Sequence, residues 1–393
     1  MAMDFKYSDV LDSGTYRDDG LANSIPFRIH QDPYSEIAGS LRAQKDWDST
    51  VSPVRNYQGG LGHPYSFIRA TIPECIPERL EIISYANEYA FLYDDEMENL
   101  DLKNFKEGRD DMLHVFRDDA LNEKVSDKVR PEKKLQAQIL AEMMAIDRVR
   151  AITTMKAWAQ FVELASRTRS EPFETLDDYL PSRAIDAGEL FWYGMLTFAM
   201  ALTIPANELD LCMELARPGY AAISLTNDLY SWRKEREDAE KSGQDYVFNA
   251  VWVIMQERKC TESAAVNICQ EEIKRYLSEF EDNIESPNTK TLSRDTQTYL
   301  HAVRLSHVGN LVWSIYCPRY HRGAYVTTSL QGKAGELITI SDKTLSLPTQ
   351  LGSAASRLID TIFKFLVSPL HQVFHTSGRR LLIQRLRRLV TKS

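Results

Sequence analysis

The string Asn227-Asp228-Leu229-Tyr230-Ser231-Trp232-Arg233-Lys234-Glu235 sets an amide, a hydroxyl and a carboxylate at intervals of four residues, on Asn227, Ser231 and Glu235. On an α-helix that spacing stacks the three side chains along one face over about two turns. Their oxygens are hard ligands suited to Mg²⁺, an ion that keeps waters and phosphate oxygens in its shell. Lys234 lies three residues after Ser231, near the same face, where it can offer a point charge to a phosphate. The competing reading is a solvated helix face, and the charged residues Arg236, Glu237, Asp238 and Glu240 suit it. Asn and Ser suit it less, because inside a helix both compete with the backbone for hydrogen bonds. They also follow an apolar approach from Tyr220 to Leu225.

A second constellation lies about 130 residues earlier. The segment Glu88-Tyr89-Ala90-Phe91-Leu92-Tyr93-Asp94-Asp95-Glu96-Met97-Glu98 carries an aromatic, apolar run directly into a block of acids. Asp94 and Glu98 are one helical turn apart, with Asp95 beside them. Carboxylates so crowded repel one another unless a cation neutralises them. Of the five Asp-Asp pairs, at 18, 94, 110, 118 and 177, only the one at 94 has an acid three residues after its second Asp. D-D-x-x-E alone is a weak signal in so acidic a chain. Together with the Asn/Ser/Glu helix it makes a two-walled metal site.

The two motifs, D-D-x-x-E and N-D-x-x-S-x-x-K-E, resemble those of class I terpene cyclases, and two further matches support the resemblance. Arg183, in Tyr179-Leu180-Pro181-Ser182-Arg183-Ala184-Ile185-Asp186-Ala187-Gly188, sits where that family has its diphosphate-sensing arginine. Arg319-Tyr320, with Trp313 six residues before the arginine, is similar to the family's C-terminal Arg-Tyr pair. The stretches Gly39 to Trp47 and Tyr89 to Asp95 look closest to the cyclase portion of fungal two-domain terpene synthases. The resemblance covers about residues 25–322, in the expected order.

The resemblance implies an all-α, single class I terpenoid-synthase-like bundle around an apolar cavity. It also implies a Mg²⁺ cofactor, three ions in that family, with Mn²⁺ as a substitute. Asp94 would be the best ligand of the first wall, with Asp95 and Glu98 in supporting positions, and Asn227, Ser231 and Glu235 would chelate one ion on the second. Arg183, Lys234, Arg319 and Tyr320 would hold diphosphate oxygens. Asp186 matches the family's linker residue, and Ala187 the residue whose backbone carbonyl acts at a helix break. An allylic cation needs an apolar, water-free cavity with aromatic faces. Phe91, three residues before Asp94, and Trp313 are the first wall candidates, followed by Phe67 and Phe191; plain core packing is the alternative for each. The reaction implied is cyclisation of a linear prenyl diphosphate to a cyclic hydrocarbon or alcohol. Farnesyl diphosphate, the commonest pool, is placed first, and geranylgeranyl or geranylfarnesyl diphosphate is the alternative.

Composition fits these readings. The chain has 393 residues, 43% hydrophobic and 26% charged, with net charge −9, which disfavours nucleic acid as a partner. Five scattered cysteines without a C-x-x-C suggest neither a disulfide framework nor a zinc site. No apolar signal core or spanning stretch appears, so a cytoplasmic location is expected. Helical periodicity dominates, at about 35–47, 79–105, 132–167, 185–203, 207–237, 240–257, 262–284 and 293–316. Pro181, Pro205, Pro287 and Pro318 are read as punctuation. Gly59-Gly60-Leu61-Gly62 lacks the Lys-Ser/Thr and flanking strand of a phosphate loop and is read as a turn.

The expected division is a cyclase domain over 1–323, a linker over 324–350, and a basic amphipathic extension over 351–393. That extension carries eight Lys/Arg against one acid, leaving −16 on the rest. Peripheral membrane contact through it is one expectation; docking on the acidic body, or no role at all, is the alternative, and a homodimer of the whole chain is a separate expectation. Elongating prenyltransferases need a second Asp-rich motif, and Asp177-Asp178 fails because Pro181 takes the third place after the pair. A D-x-D-D for protonation-initiated cyclisation is absent. A non-catalytic helical diphosphate-binding or interaction protein is the alternative of another class. It gives no reason for both metal walls, the arginine and the Arg-Tyr pair to occur together.

Overall fold

A computed structural model describes residues 5–99, 131–165 and 172–321, without the side chains of 97–99. The expected linker, the basic extension and the Glu98 side chain therefore lie outside the described residues. Among the described residues the fold is helical apart from one small antiparallel ribbon, β1 (Ser8–Val10) with β2 (Arg28–His30), in the register Ser8 opposite His30.

The helices are α1 (Pro33–Thr50), α2 (Phe67–Thr71), α3 (Pro77–Asn99), α4 (Pro131–Ala165), α5 (Leu176–Asp186), α6 (Glu189–Ala199), α7 (Leu209–Lys241), α8 (Ala250–Arg258), α9 (Glu262–Glu285) and α10 (Arg294–Tyr316). α1 packs on α3, α4 on α6, α9 on α7, and α10 on α7 and α2. Two burial patterns sort them into layers. α9 buries Ala265, Cys269, Ile273, Leu277, Phe280 and Ile284, a single stripe of an outer helix. α3 and α10 bury residues around most of their circumference, from Leu80 to Leu92 and from Thr296 to Ile315, as interior helices must. No described helix is long and apolar enough to cross a membrane.

Local chemistry sets the boundaries. Asp32 caps α1 by accepting from the backbone N–H of Tyr34 (2.8 Å) and Ser35 (3.2 Å), with Pro33 pre-set at the first position. The expected helix over 240–257 starts only at Ala250: α7 runs on to Lys241 and stops, Gly243 turns at φ +67°, and Asn249 caps α8 through Val251 N–H (2.8 Å). The expected helix over 185–203 is likewise divided, between α5 and α6. Pro181 is not punctuation but lies inside α5. It removes one hydrogen bond to the carbonyl of Asp177, which is exposed and can turn to water, while Thr175 secures the helix start through Asp178 N–H (3.1 Å).

Candidate active site

Arg183, in the last turn of α5, is buried and reaches three partners. Its Nε donates to Asp228 Oδ1 (2.7 Å), Nη1 to Asp186 Oδ2 (2.9 Å) and Nη2 to Asn227 Oδ1 (2.8 Å). Burial alone would ease the proton off the guanidinium. The carboxylates of Asp228 and Asp186 outweigh it and hold the group firmly charged. α5 ends at Asp186, and Gly188 follows at φ +85°, a conformation that costs glycine little. Ala187 thus sits at a true helix break, and Asp186 ties that break to the arginine.

The second wall stands on α7. Asn227 donates from Nδ2 to the Tyr320 hydroxyl (2.7 Å) while its amide oxygen faces Arg183. Ser231 Oγ is buried without a hydrogen bond of ordinary geometry, although it lies close enough to Glu235 to favour that carboxylate's charge. Glu235 accepts from Asn249 Nδ2 (2.9 Å). Burial first, then repulsion from Asp228, pushes the Glu235 carboxyl above its usual range. A largely enclosed carboxylate pushed toward its neutral form, beside a hydroxyl with no well-formed hydrogen bond, is a pair that a cation would relieve.

The first wall is the end of α3. Asp94 is half exposed. Asp95 receives a two-pronged ion pair from Arg319, Nη2 to Oδ1 at 2.7 Å and Nη1 to Oδ2 at 3.2 Å. Arg319 also approaches Asp94 Oδ2 at 3.7 Å and donates to the carbonyl of Gln58 (3.0 Å). The arginine after α10 therefore joins itself to the acidic wall, and Tyr320 beside it joins the Asn/Ser/Glu wall. Lys234, expected to face a phosphate, is paired along its own helix with Asp238 at 3.8 Å.

Between the walls lies a knot of rings. Phe67 meets Trp313 at 4.7 Å, Phe91 at 5.4 Å and Trp192 at 5.6 Å between centroids, and Trp313 meets Tyr320 at 5.5 Å. Phe91, Phe67 and Trp313 are thus brought together, packed on one another. Phe191 is not: it packs on Trp158 (5.2 Å) and Phe161 (6.2 Å). Successive residues on a helix point about 100° apart, so Trp192 takes the place proposed for Phe191.

Sequence reasoning gave no role to Asp228, Asn249 or Glu88. Asp228 is completely buried and links three helices, α5, α7 and α8: it accepts from Arg183, Tyr179 Oη (2.7 Å) and Ala250 N–H (2.9 Å), and its carbonyl accepts from Asn249 Nδ2 (2.8 Å). Burial raises its carboxyl, and Arg183 counters that. The only available signal was its place inside the Asn/Ser/Glu string.

Comparisons with known proteins agree with this geometry. Residues 85–279, which contain both walls and Arg183, match the family described as terpene synthase family 2, C-terminal metal binding. The chain belongs to the terpene synthase family. A bifunctional type I diterpene synthase of Aspergillus flavipes is 43% identical over 321 residues, 81% of this chain and 42% of that one. A bifunctional sesterterpene synthase of Aspergillus aculeatus is 43% identical over 326 residues, 82% of this chain and 46% of that one. The chain thus spans less than half the length of these relatives. Aristolochene synthase of Penicillium roqueforti shares the fold, with TM-score 0.56 and 18% identity over 75% of this chain and 98% of that one.

The donor set fits the metal such a terpene synthase fold implies. Among the described residues no group of three or more His, Cys, Asp or Glu side chains could hold an ion by itself. The candidate ligands are of mixed kind, with amide, hydroxyl and carboxylate oxygens on α7 and carboxylates on α3. All are hard oxygen donors, as Mg²⁺ requires.

Proposed function

We propose that the protein is a Mg²⁺-dependent class I terpene cyclase that ionises a linear prenyl diphosphate of twenty or twenty-five carbons and closes the carbocation into a cyclic terpene. The observation that carries the reading is the Arg183–Asn227–Tyr320 chain of hydrogen bonds, which joins the sensing arginine, the Asn/Ser/Glu helix and the C-terminal Arg-Tyr pair. Asn227, Ser231 and Glu235 on one wall and Asp94 on the other would hold the ions. Bound there, Mg²⁺ supplies Lewis-acid stabilisation of the departing diphosphate.

The chain's own residues do the rest. Arg183 and Arg319 present planar guanidinium forks to diphosphate oxygens, exchanging part of their present pairing with Asp228, Asp186 and Asp95. Tyr320 adds a hydroxyl donor. Asp186 couples the position of Arg183 to the Ala187–Gly188 break, so that occupancy at the arginine is felt at the Ala187 carbonyl. Phe67, Phe91, Trp192 and Trp313 exclude water and turn π faces to the cation.

Chain length departs from the first expectation. Farnesyl diphosphate rested on pool abundance alone. Relatives at 43% identity named diterpene and sesterterpene synthases favour geranylgeranyl diphosphate, with geranylfarnesyl diphosphate next. The test offers purified protein and Mg²⁺ the farnesyl, geranylgeranyl and geranylfarnesyl esters separately, with extracts read by gas chromatography–mass spectrometry. A cyclic C20 or C25 product is expected; a cyclic product from farnesyl diphosphate alone would refute the assignment.

A further inference from the structure

The glycine turn at 59–62 and the buried Glu88 have no part in the reading above, yet they meet beside it. Glu88 lies on α3, two turns before Asp95 and on the same face. It is completely buried. Its Oε1 accepts from Gln44 Nε2 on α1 (2.7 Å) and its Oε2 from the backbone N–H of Gly60 (2.9 Å). The turn it grips offers carbonyls on its other side: that of Gln58 accepts from Arg319 Nη1 (3.0 Å), and that of Gly60 from Trp313 Nε1 (3.1 Å). Contact is so close that a Cβ on Gly59 would fall 2.2 Å from Glu88 Oε1 and 2.4 Å from the Tyr57 hydroxyl. Glycine is needed there for the approach of a carboxylate.

We infer that Glu88 is a positioning residue for the diphosphate-binding arginine and the aromatic wall, acting on Arg319 and Trp313 through the carbonyls of Gln58 and Gly60. The inference rests on the cyclase reading. A purely scaffolding carboxylate would need only to satisfy its own neighbours. Glu88 instead fixes a peptide segment whose two carbonyls aim a diphosphate ligand and the central ring of the aromatic knot. Gln44 holds the carboxylate from behind, so α1 and α3 are registered to the segment that follows α10 through one side chain. Asp95 orients Arg319 from the α3 side and Gln58 from the turn, so the guanidinium plane is fixed at two of its edges.

Three variants test it: Glu88→Leu, which removes the acceptor; Glu88→Gln, which keeps one oxygen for Gly60 N–H; and Gly59→Ala, which displaces the carboxylate without removing it. In each folded variant, KM for the accepted prenyl diphosphate, kcat and the product ratio are measured. Thermal stabilisation by inorganic diphosphate with Mg²⁺ is measured beside them. Glu88→Leu and Gly59→Ala are expected to raise KM roughly tenfold, the scale of one charge-assisted contact put out of line. They should also weaken the diphosphate-induced stabilisation and shift the product ratio. Glu88→Gln should recover most of each loss. In an Arg319→Ala background, Glu88→Leu should add little to KM, because both act through one contact. Unchanged KM and product ratio in folded Glu88→Leu, with only a lower Tm, overturn the inference, as does full additivity with Arg319→Ala. If Glu88→Leu does not fold, Gly59→Ala decides by the same readouts. Failure of the cyclase reading is distinguishable, since the wild-type chain would then convert no prenyl diphosphate.

Discussion

Replacing Asp228 by Asn tests how much the buried hub contributes, and the structure lets the loss be worked out. The carboxylate uses both oxygens, Oδ1 for Arg183 and Oδ2 for Tyr179 and Ala250 N–H. An amide has one acceptor oxygen, so either the guanidinium or the first turn of α8 faces an N–H₂ group. Removing one member of a buried ion pair typically costs about 3–5 kcal/mol. Here Asp186, at 2.9 Å, still partners Arg183, which reduces the penalty to about 2–3 kcal/mol. At about 2–4 °C per kcal/mol for a large domain, Tm should fall by roughly 5–10 °C. Thermal melts followed by circular dichroism read this directly, with Tyr179→Phe as a milder control that removes a single hydrogen bond, worth about 1 kcal/mol. An Asp228→Asn protein melting within 2 °C of the wild type, at most about 1 kcal/mol, would refute the claim that this carboxylate compensates Arg183.

Other consequences are equally open to measurement. Glu36 is buried with its oxygens toward Ile68 N–H (2.7 Å) and Arg69 N–H (3.3 Å), and burial raises its carboxyl from 4.5 to about 8. The folded chain therefore binds a proton there that the unfolded chain releases, so this group's contribution to stability falls as pH rises from about 4.5 to about 8. The Tm of Glu36→Gln minus that of the wild type should accordingly increase between pH 5 and pH 9; a flat difference would remove the assignment. Arg319→Lys keeps the charge but loses the planar fork that meets Asp95. It should raise KM for the prenyl diphosphate roughly tenfold, and an unchanged KM would mean the fork is not used.

The parts of this site legible in the sequence were those carried by spacing along a single helix. Asn227, Ser231 and Glu235 share a face because four residues nearly complete a turn, and Phe91 is placed over Asp94 by the same arithmetic. Arg183, Asp186, Arg319 and Tyr320 were legible only through family resemblance, since no periodicity links α5 to the segment after α10. Partners set by tertiary packing escaped. Asp228, one residue along from Asn227, was given no role, because only the packing of α5 and α8 over it shows what it does. Lys234 had the right type and position yet finds Asp238 one turn on. Phe191 was named as a wall ring although its neighbour Trp192 is the one that reaches Phe67, because neither residue's partner is set by spacing along α6 alone. The helix ends near Gly243 and Asn249 did carry their ordinary signals, a glycine stop and an Asn cap, which the expected span of 240–257 ran across.

The central claim is that the two walls act together as a metal-dependent diphosphate grip, and calorimetric titration of inorganic diphosphate tests it most directly. Titrations with and without Mg²⁺ would be run on the wild type, Asn227→Ala and Ser231→Ala. Tight binding only when Mg²⁺ is present, weakened at least tenfold in both variants, is the predicted result, since each variant removes one hard oxygen donor. Diphosphate binding that is indifferent to Mg²⁺, or unaltered in both variants, would contradict the account.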